Sequence, residues 1–214
     1  MNIIGIIPAR MASSRFPNKP MADILGMPMI GHCYKRSEMS SLLNDVYVAT
    51  CDKEIFDYIE GVGGKAVMTA NTHERATDRT AEAMLKIEDE LGEKIDIVVM
   101  VQGDEPMVTP EMISESLSPF KNDTSVNVVN LMAYMDTVDE FEDPNEVKVV
   151  IDKNSDAIYF SREAIPSRKK GFDKVPMLKQ VCIIPFTREY LLKFNDMTET
   201  EIERIESVDM MRIL

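Results

Sequence analysis

The 214 residues contain no tryptophan and only two histidines, His32 and His73. The three cysteines, Cys33, Cys51 and Cys182, are widely spaced, with no CxxC pair and no Cys/His cluster. This argues against a zinc site and makes reduced thiols the expectation. Positive charge is scarce: 24 Lys and Arg stand against 37 Asp and Glu, for a net charge of −13. Sequence-independent nucleic-acid binding needs clustered cations to displace counterions, and docking on an anionic membrane needs the same sign, so neither partner is expected. No apolar run approaches the roughly 18 residues of a membrane span. The run Ile3–Ile7 is too short for a signal peptide and has no basic residue before it, so a cytoplasmic protein is expected. Neither GxxxxGK[ST] nor GxGxxG occurs, which disfavours a P-loop NTPase or a dinucleotide dehydrogenase. Gly61-Val62-Gly63-Gly64 reads as a helix stop rather than a phosphate cradle.

What is present is a globular balance, 44% hydrophobic and 29% charged, with no repeat, low-complexity tract or linker. A single domain over residues 1–214 is expected. In the first half, apolar β-branched runs alternate with helical spacing. Strands are expected at Asn2–Ile7, Asp45–Thr50, Lys65–Met68 and Ile95–Val101, and helices at Met29–Met39, Lys53–Glu60 and Thr77–Leu91. The last helix places Ala81, Met84, Leu85, Glu88 and Leu91 on one face. Such alternation predicts an α/β fold with a parallel sheet. In the second half, Ser125–Tyr134, Val147–Asp152, Ala157–Ser161 and Gln180–Pro185 read as strands without long helices between them, which predicts a mixed sheet with a small antiparallel arm. Pro110–Phe120, Arg188–Phe194 and Glu199–Leu214 read as short helices, and Ile165–Pro176 as a loop.

Between Met1 and Ala22 there are three cations, Arg10, Arg15 and Lys19, and no acidic residue. In an acidic chain this local reversal is informative, because ligands of open α/β sheets bind beyond the carboxyl ends of strands. Two guanidiniums, one ammonium, the Ser13 and Ser14 hydroxyls and backbone N–H groups suit several phosphates. Prolines at 8, 17 and 20 lower the entropy cost of ordering the loop. Charge alone is equally compatible with a solvated basic loop.

The run Ile6-Ile7-Pro8-Ala9-Arg10-Met11-Ala12-Ser13-Ser14-Arg15-Phe16-Pro17-Asn18-Lys19-Pro20 resembles the opening signature of the 3-deoxy-manno-octulosonate (Kdo) cytidylyltransferases, whose outline the acylneuraminate cytidylyltransferases share. The resemblance continues in order through Gly26-Met27-Pro28-Met29-Ile30, Val48-Ala49-Thr50, Met68-Thr69, Val101-Gln102-Gly103-Asp104-Glu105-Pro106, Asn145-Glu146-Val147-Lys148-Val149-Val150 and Tyr159-Phe160-Ser161-Arg162. It implies a Rossmann-like, glycosyltransferase-A-like nucleotidyltransferase fold, a Mg²⁺-dependent reaction of CTP with an acidic sugar, and a homodimer. Carried over position by position, it implies nucleotide binding by Pro8, Ala9, Arg10, Ser13, Arg15, Lys19, Thr77, Arg79 and Gln102, with Arg10, Lys19 and Asp104 catalytic. Asp104 becomes the metal ligand. Read from the residues themselves, Glu105 before Pro106 is structural, and the lone His73 ahead of a helix is a capping or packing residue rather than a general base.

The departures fall mostly in the acceptor half. Family members usually carry Ser-Gly-Thr-Asp/Glu-Arg where this chain has Arg75-Ala76-Thr77-Asp78-Arg79. A histidine that usually contacts the sugar acid matches Gln180, and a Glu-Gln pair matches Asp209-Met210, while Arg162, Glu206 and Arg212 are retained. Acceptor-binding candidates are thus Arg75, Arg162, Gln180, Glu206 and Asp209. A pocket that reads a polyol by hydrogen bonds changes specificity when donors change. Three readings follow: CMP transfer to Kdo or a close relative; transfer to another nonulosonic, amino-sugar or phosphonate acceptor; or a catalytically impaired CTP-binding protein. The last reading rests on the family's continuation, beyond the helix matching Glu199–Leu214, into a segment bearing a second metal-binding aspartate.

Overall fold

The structure is a computed structural model that describes residues 1–12, 16–171 and 174–214. In chain order its elements are β1 (Ile3–Ala9), a 3-10 turn at Lys19–Met21, β2 (Asp23–Ile24), β3 (Met27–Pro28), α1 (Met29–Glu38), β4 (Asp45–Thr50), α2 (Lys53–Gly61), β5 (Lys65–Met68), α3 (Ala76–Leu91), β6 (Ile97–Val101), α4 (Pro110–Asn122), β7 (Met132–Tyr134), α5 (Val138–Glu142), β8 (Lys148–Ile151), β9 (Ala157–Ser161), β10 (Leu178–Gln180), β11 (Ile183–Thr187), α6 (Arg188–Asp196), α7 (Glu201–Glu206) and a second 3-10 turn at Asp209–Ile213. Within the single domain expected from the sequence, the chain packs as two compact units. One is Met1–Val129 with Cys182–Asn195; the other is Asn130–Val181 with Asp196–Leu214.

The first unit holds a five-stranded sheet in the order β11-β6-β1-β4-β5. β1 pairs in parallel with both β4 and β6, β4 pairs in parallel with β5, and β11 runs antiparallel along β6. All residues of β1 and β6 are buried, as unbroken apolar runs in a covered parallel sheet must be. The buried Ile4, Ile6 and Ile7 of β1 each contribute roughly 1.5–3 kcal/mol of hydrophobic stabilisation. α3 buries Thr77, Arg79, Thr80, Ala81, Ala83, Met84, Ile87 and Glu88. Of the face expected from spacing, Leu85 and Leu91 instead remain exposed. Threonines that satisfy themselves, such as Thr80 whose hydroxyl donates to the Ala76 carbonyl (2.8 Å), complete the packed face where hydropathy sees a polar side. The helix stop at Gly61–Gly64 is as expected, with the Val62 N–H donating to the Tyr58 carbonyl (3.1 Å).

The second unit holds the antiparallel arm, a four-stranded sheet in the order β7-β10-β8-β9. Three expectations need correction. The strand expected over Ser125–Tyr134 is reduced to Met132–Tyr134. Residues 125–129 touch β11 through a single bridge, Val128 to Phe186, because Pro185 accepts from the Val129 N–H (3.0 Å) but has no N–H to return. The strand expected over Gln180–Pro185 is two strands in two sheets. Between them, Cys182 is held by Glu105 Oε1, which accepts its N–H (3.1 Å), and by the Gln102 N–H, which donates to its carbonyl (3.0 Å). The helix expected over Glu199–Leu214 breaks at Ser207, whose φ of 53° is left-handed, leaving α7 and the 3-10 turn. α7 opens with a capping box between Thr200 and Glu203.

Candidate active site

In the first unit β1, β4 and β5 lie side by side in chain order, and β6 returns to the other flank of β1. Strand order therefore reverses between β1 and β6. In open α/β sheets the crevice outside the carboxyl ends at such a reversal is the ligand site. The basic loop leaves one of these ends after Ala9, and Gln102-Gly103-Asp104 leaves the other. Gly103 closes them together: a Cβ there would lie 2.9 Å from the Pro8 carbonyl oxygen and 3.3 Å from the Ala9 Cβ. The glycine thus serves the approach of the two strand ends to each other.

Three contacts fix the described part of the loop over the carboxyl edge. The Met11 N–H donates to Asp52 Oδ2 (2.8 Å), just beyond β4. Arg10 Nη1 donates to the His73 carbonyl (3.3 Å), beyond β5. Lys19 Nζ donates to Asp104 Oδ2 (2.8 Å), beyond β6. Both members of this last pair are open to solvent, their side chains 40% and 43% exposed. Lys19 opens the short 3-10 turn, which follows Asn18 in a left-handed conformation and has Pro20 in its first turn. Ser13 and Arg15, also assigned to the nucleotide, lie outside the described residues.

His73 is held by the carboxylate of Glu82, which also accepts the Ala70 N–H (2.9 Å) and pairs with Lys86 (2.7 Å). Burial acts to raise the Glu82 pKa, but these donors outweigh it and hold the carboxyl down at about 2. His73 is therefore a fixed bracket between Arg10 and Glu82, in keeping with a packing role. Sequence reasoning missed Asp52 and Glu82. Asp52 was open to discovery, since it stands just past the carboxyl end of β4 as Asp104 does for β6. Glu82 gives no such signal, because a glutamate on a mixed helix face looks solvated.

Among the other nucleotide-binding candidates, Thr77 is fully buried on α3 and Arg79 is 2% exposed. Arg79 Nη1 donates to the Thr69 hydroxyl and the Ala70 carbonyl (3.2 Å), so it braces the turn after β5. Its Nη2 is buried with no protein partner among the described residues. Gln102 is half-buried at the end of β6, and Glu105 braces Cys182 as a structural residue would. Cys33 donates weakly to the Gly103 carbonyl (3.5 Å), and burial pushes its thiol up to about 12, which keeps it an inert packing group.

The acceptor-binding candidates divide between the units. Arg75 occupies the N-cap position of α3 in the first unit, without a side-chain capping hydrogen bond. In the second unit the Glu206 carboxylate accepts from Tyr159 (3.1 Å), the Ser161 hydroxyl (3.0 Å) and the Arg162 N–H (2.8 Å). The Arg162 guanidinium donates to the carbonyls of Glu206 (2.8 Å), Pro144 (3.0 Å) and Ser207 (3.5 Å). Gln180 donates to Asn130 Oδ1 (2.6 Å). Asp209 is half-buried at the start of the second 3-10 turn, and Met210 beside it is 1% exposed. Nearby, the fully buried Lys148 donates to the carbonyls of Asp143 and Glu146 (both 2.7 Å), and burial lowers its pKa.

Among the described residues no group of three His, Cys, Asp or Glu side chains is placed to hold a metal ion. At the crevice, among the described residues, Asp104 presents a solvent-open carboxylate and Asp52 a second one that is engaged by the Met11 N–H. That set does not make an all-protein cage. It does suit Mg²⁺, a hard cation that keeps several waters and is bound through one or two carboxylates plus substrate phosphates.

The profile of the family described as "Cytidylyltransferase" matches residues 4–214. A 3-deoxy-manno-octulosonate cytidylyltransferase of Geobacter metallireducens is 39% identical over 224 residues, covering 100% of this chain and 86% of its own length. That of Syntrophus aciditrophicus is 42% identical over 214 residues, covering 99% of this chain and 84% of its own. Among solved structures, CMP:2-keto-3-deoxy-manno-octonic acid synthetase complexed with CTP superposes with a TM-score of 0.89 at 37% identity, covering all of this chain and 85% of that one. A cytidylyltransferase of Leptospira borgpetersenii shares the fold at a TM-score of 0.62 and 17% identity. With a basic loop and an acidic strand end meeting at the switch point, and these likenesses over the whole chain, the protein belongs to the cytidylyltransferase family.

Proposed function

We propose that this chain transfers CMP from CTP to the anomeric hydroxyl of Kdo and releases pyrophosphate. The observation that carries the reading is the convergence of Arg10, Lys19 and Asp104 on the carboxyl edge of a sheet that matches the CTP complex of a Kdo-activating synthetase. The anomeric oxygen attacks the α-phosphorus, the bond from that phosphorus to the β-phosphate oxygen breaks, and the hydroxyl proton passes to solvent. In this reading Arg10 and Lys19 supply two positive charges to the triphosphate and stabilise the charge that develops on departing pyrophosphate. Prolines at 8, 17 and 20 limit the backbone freedom around both residues, which lowers the entropy cost of ordering them on the substrate. Asp104 would hold Mg²⁺, which when bound supplies charge neutralisation and lowers the pKa of the attacking hydroxyl. The reading includes a homodimer, tested by sedimentation of the purified protein, and a cytoplasmic location, tested by cell fractionation.

Pyrophosphate release from CTP and Mg²⁺, measured across a panel of acidic sugars, is the direct test. Release with Kdo and not with nonulosonic acids is the expected result. Release with UTP or GTP but not CTP would remove the cytidylyl assignment. CTP-induced thermal stabilisation without turnover on any acceptor would leave a CTP-binding protein. A second acceptor is favoured by one observation: a large cation, Arg75, stands at the start of α3 in place of a small hydroxyl, which suits an acceptor with further negative charge.

A further inference from the structure

The two groups assigned to opposite jobs, Lys19 to phosphate and Asp104 to a divalent cation, are bonded to each other. Lys19 Nζ lies 2.8 Å from Asp104 Oδ2, and neither side chain has another partner among the described residues. The other contacts of the crevice are different in kind. Arg10 donates to a backbone carbonyl, and Asp52 accepts a backbone N–H, so both can keep those bonds while a ligand is present. Lys19 and Asp104 cannot each take a full share of ligand while they remain paired.

We propose that this pair is an exchange latch that couples nucleotide and divalent-cation binding. A polyphosphate that draws Lys19 away frees the Asp104 carboxylate for a cation, and a cation that draws Asp104 away frees Lys19 for phosphate. Each ligand thereby raises the affinity for the other, and by linkage it does so by the same factor. The latch also disfavours the half-filled states, in which a bare cation sits on Asp104 or a metal-free triphosphate sits on Lys19. The effect is modest, because an exposed ion pair in water is weak: about two- to fivefold in either binding constant. It also falls with ionic strength. The proposal rests on the phosphate and cation roles given above for Lys19 and Asp104.

The test reads binding rather than turnover. Mn²⁺, a paramagnetic probe for a Mg²⁺ site, is titrated into the nucleotide-free protein and followed by electron paramagnetic resonance. Lys19→Met is expected to bind Mn²⁺ at least about twofold more tightly than wild type, and Lys19→Arg, which keeps a cation over Asp104, to stay at the wild-type value. Arg10→Met separates a local pair from a general field: it removes an equal charge that does not touch Asp104 and is expected to shift Mn²⁺ affinity less than Lys19→Met. In the reverse arm, Asp104→Asn is expected to bind inorganic tripolyphosphate about two- to fivefold more tightly in the presence of chelator. Circular dichroism of each variant verifies folding. Unchanged or weaker Mn²⁺ binding in Lys19→Met, or an equal effect from Arg10→Met, overturns the latch while leaving the nucleotidyl-transfer reading intact. Absence of Mn²⁺ binding to wild type with and without CTP overturns both.

Discussion

Glu88 on α3 offers the sharpest test of how the first unit is held together. Its side chain is 3% exposed and accepts four donors: Arg188 Nε (2.6 Å) and Nη2 (2.9 Å), the Ile95 N–H (3.0 Å) and Lys94 Nζ (2.9 Å). Through them α3 is tied to the start of α6 and to the segment that enters β6. Burial acts to raise the Glu88 pKa, but Arg188, Ile95 and Lys94 outweigh it and bring the carboxyl from 4.5 down to about 2. At 1.36 kcal/mol per pH unit, this corresponds to about 3 kcal/mol of stability. Because the folded pKa lies below the unfolded one, that stability is fully present above about pH 4.5 and is lost as pH falls toward 2.

Replacing Glu88 by Gln removes the charge and leaves Arg188, only 15% exposed, without its bidentate partner. At pH 7 the loss is expected to be about 3–5 kcal/mol, the range for breaking a buried pair from one side. For a chain of this size that lowers the melting temperature on the order of 10 °C. The assay is urea unfolding of wild type and Glu88→Gln at a series of pH values, followed by far-ultraviolet circular dichroism because the chain has no tryptophan to report. Glu82, also held near 2, is present in both proteins and cancels in the difference. The gap between the two proteins should narrow by about 3 kcal/mol between pH 5 and pH 2. A gap that stays constant over that range, or one below about 1 kcal/mol at pH 7, would refute the account of Glu88 as a charged keystone.

Lys19→Ala is expected to lower kcat by about 10²–10³, the scale of losing one group that stabilises transition-state charge. It should shift stability by less than about 1 kcal/mol, since the Lys19–Asp104 pair is exposed; near-normal turnover would remove Lys19 from the phosphate site. Gly103→Ala puts a methyl 2.9 Å from the Pro8 carbonyl and is expected to cost about 1–3 kcal/mol and reduce turnover as the strand ends part. A melt and a rate identical to wild type would show that the close approach is dispensable. Leu25, 98% exposed with φ of 54° at the tip of the β2–β3 hairpin, buries nothing and sits where Asn or Gly is preferred. Leu25→Asn should raise stability by roughly 0.5–1 kcal/mol in the same unfolding assay, and a decrease would mean that the left-handed position costs leucine nothing.

The first unit was legible because its signals are local. An apolar run that ends in Pro8-Ala9-Arg10, and another that ends in Gly103-Asp104, announce buried parallel strands and their carboxyl ends without any knowledge of the partner strands. β4 and β5 fall on the expected residues, and β1, β6, α1, α2 and α3 within two residues of them. What the sequence does not carry is pairing across distance. The break at Val181-Cys182 depends on Glu105, 77 residues away, and the loss of pairing over 125–129 depends on Pro185. The five-residue α5 was missed because it is too short for helical periodicity to register. Within the site, the cations and Asp104 were visible as residue types. Their mutual bond was not, since it joins loops from two strands that meet only at the switch point.

The same distinction bears on the acceptor. Arg162 and Glu206 match the family pattern, yet their hydrogen bonds are internal: three backbone carbonyls for the guanidinium, and two hydroxyls and an N–H for the carboxylate. A cation on the last carbonyls of α7 complements the helix dipole, and Glu206 ties that helix to β9. Retention of such residues is accounted for by the shape of the second unit, whichever acid is bound. Met210 gives the complementary case. A side chain 1% exposed must have its polar atoms satisfied from within, so a thioether there in place of an amide changes packing rather than the chemistry presented to a sugar. On this account the difference at 210 would act on specificity through packing and not through a lost donor. Weight shifts to Arg75, half-buried at the start of α3 in the unit that also carries Lys19 and Asp104. If the acceptor differs from Kdo, the added feature should be one that a guanidinium reads, and a negatively charged substituent fits that requirement better than a neutral hydroxyl.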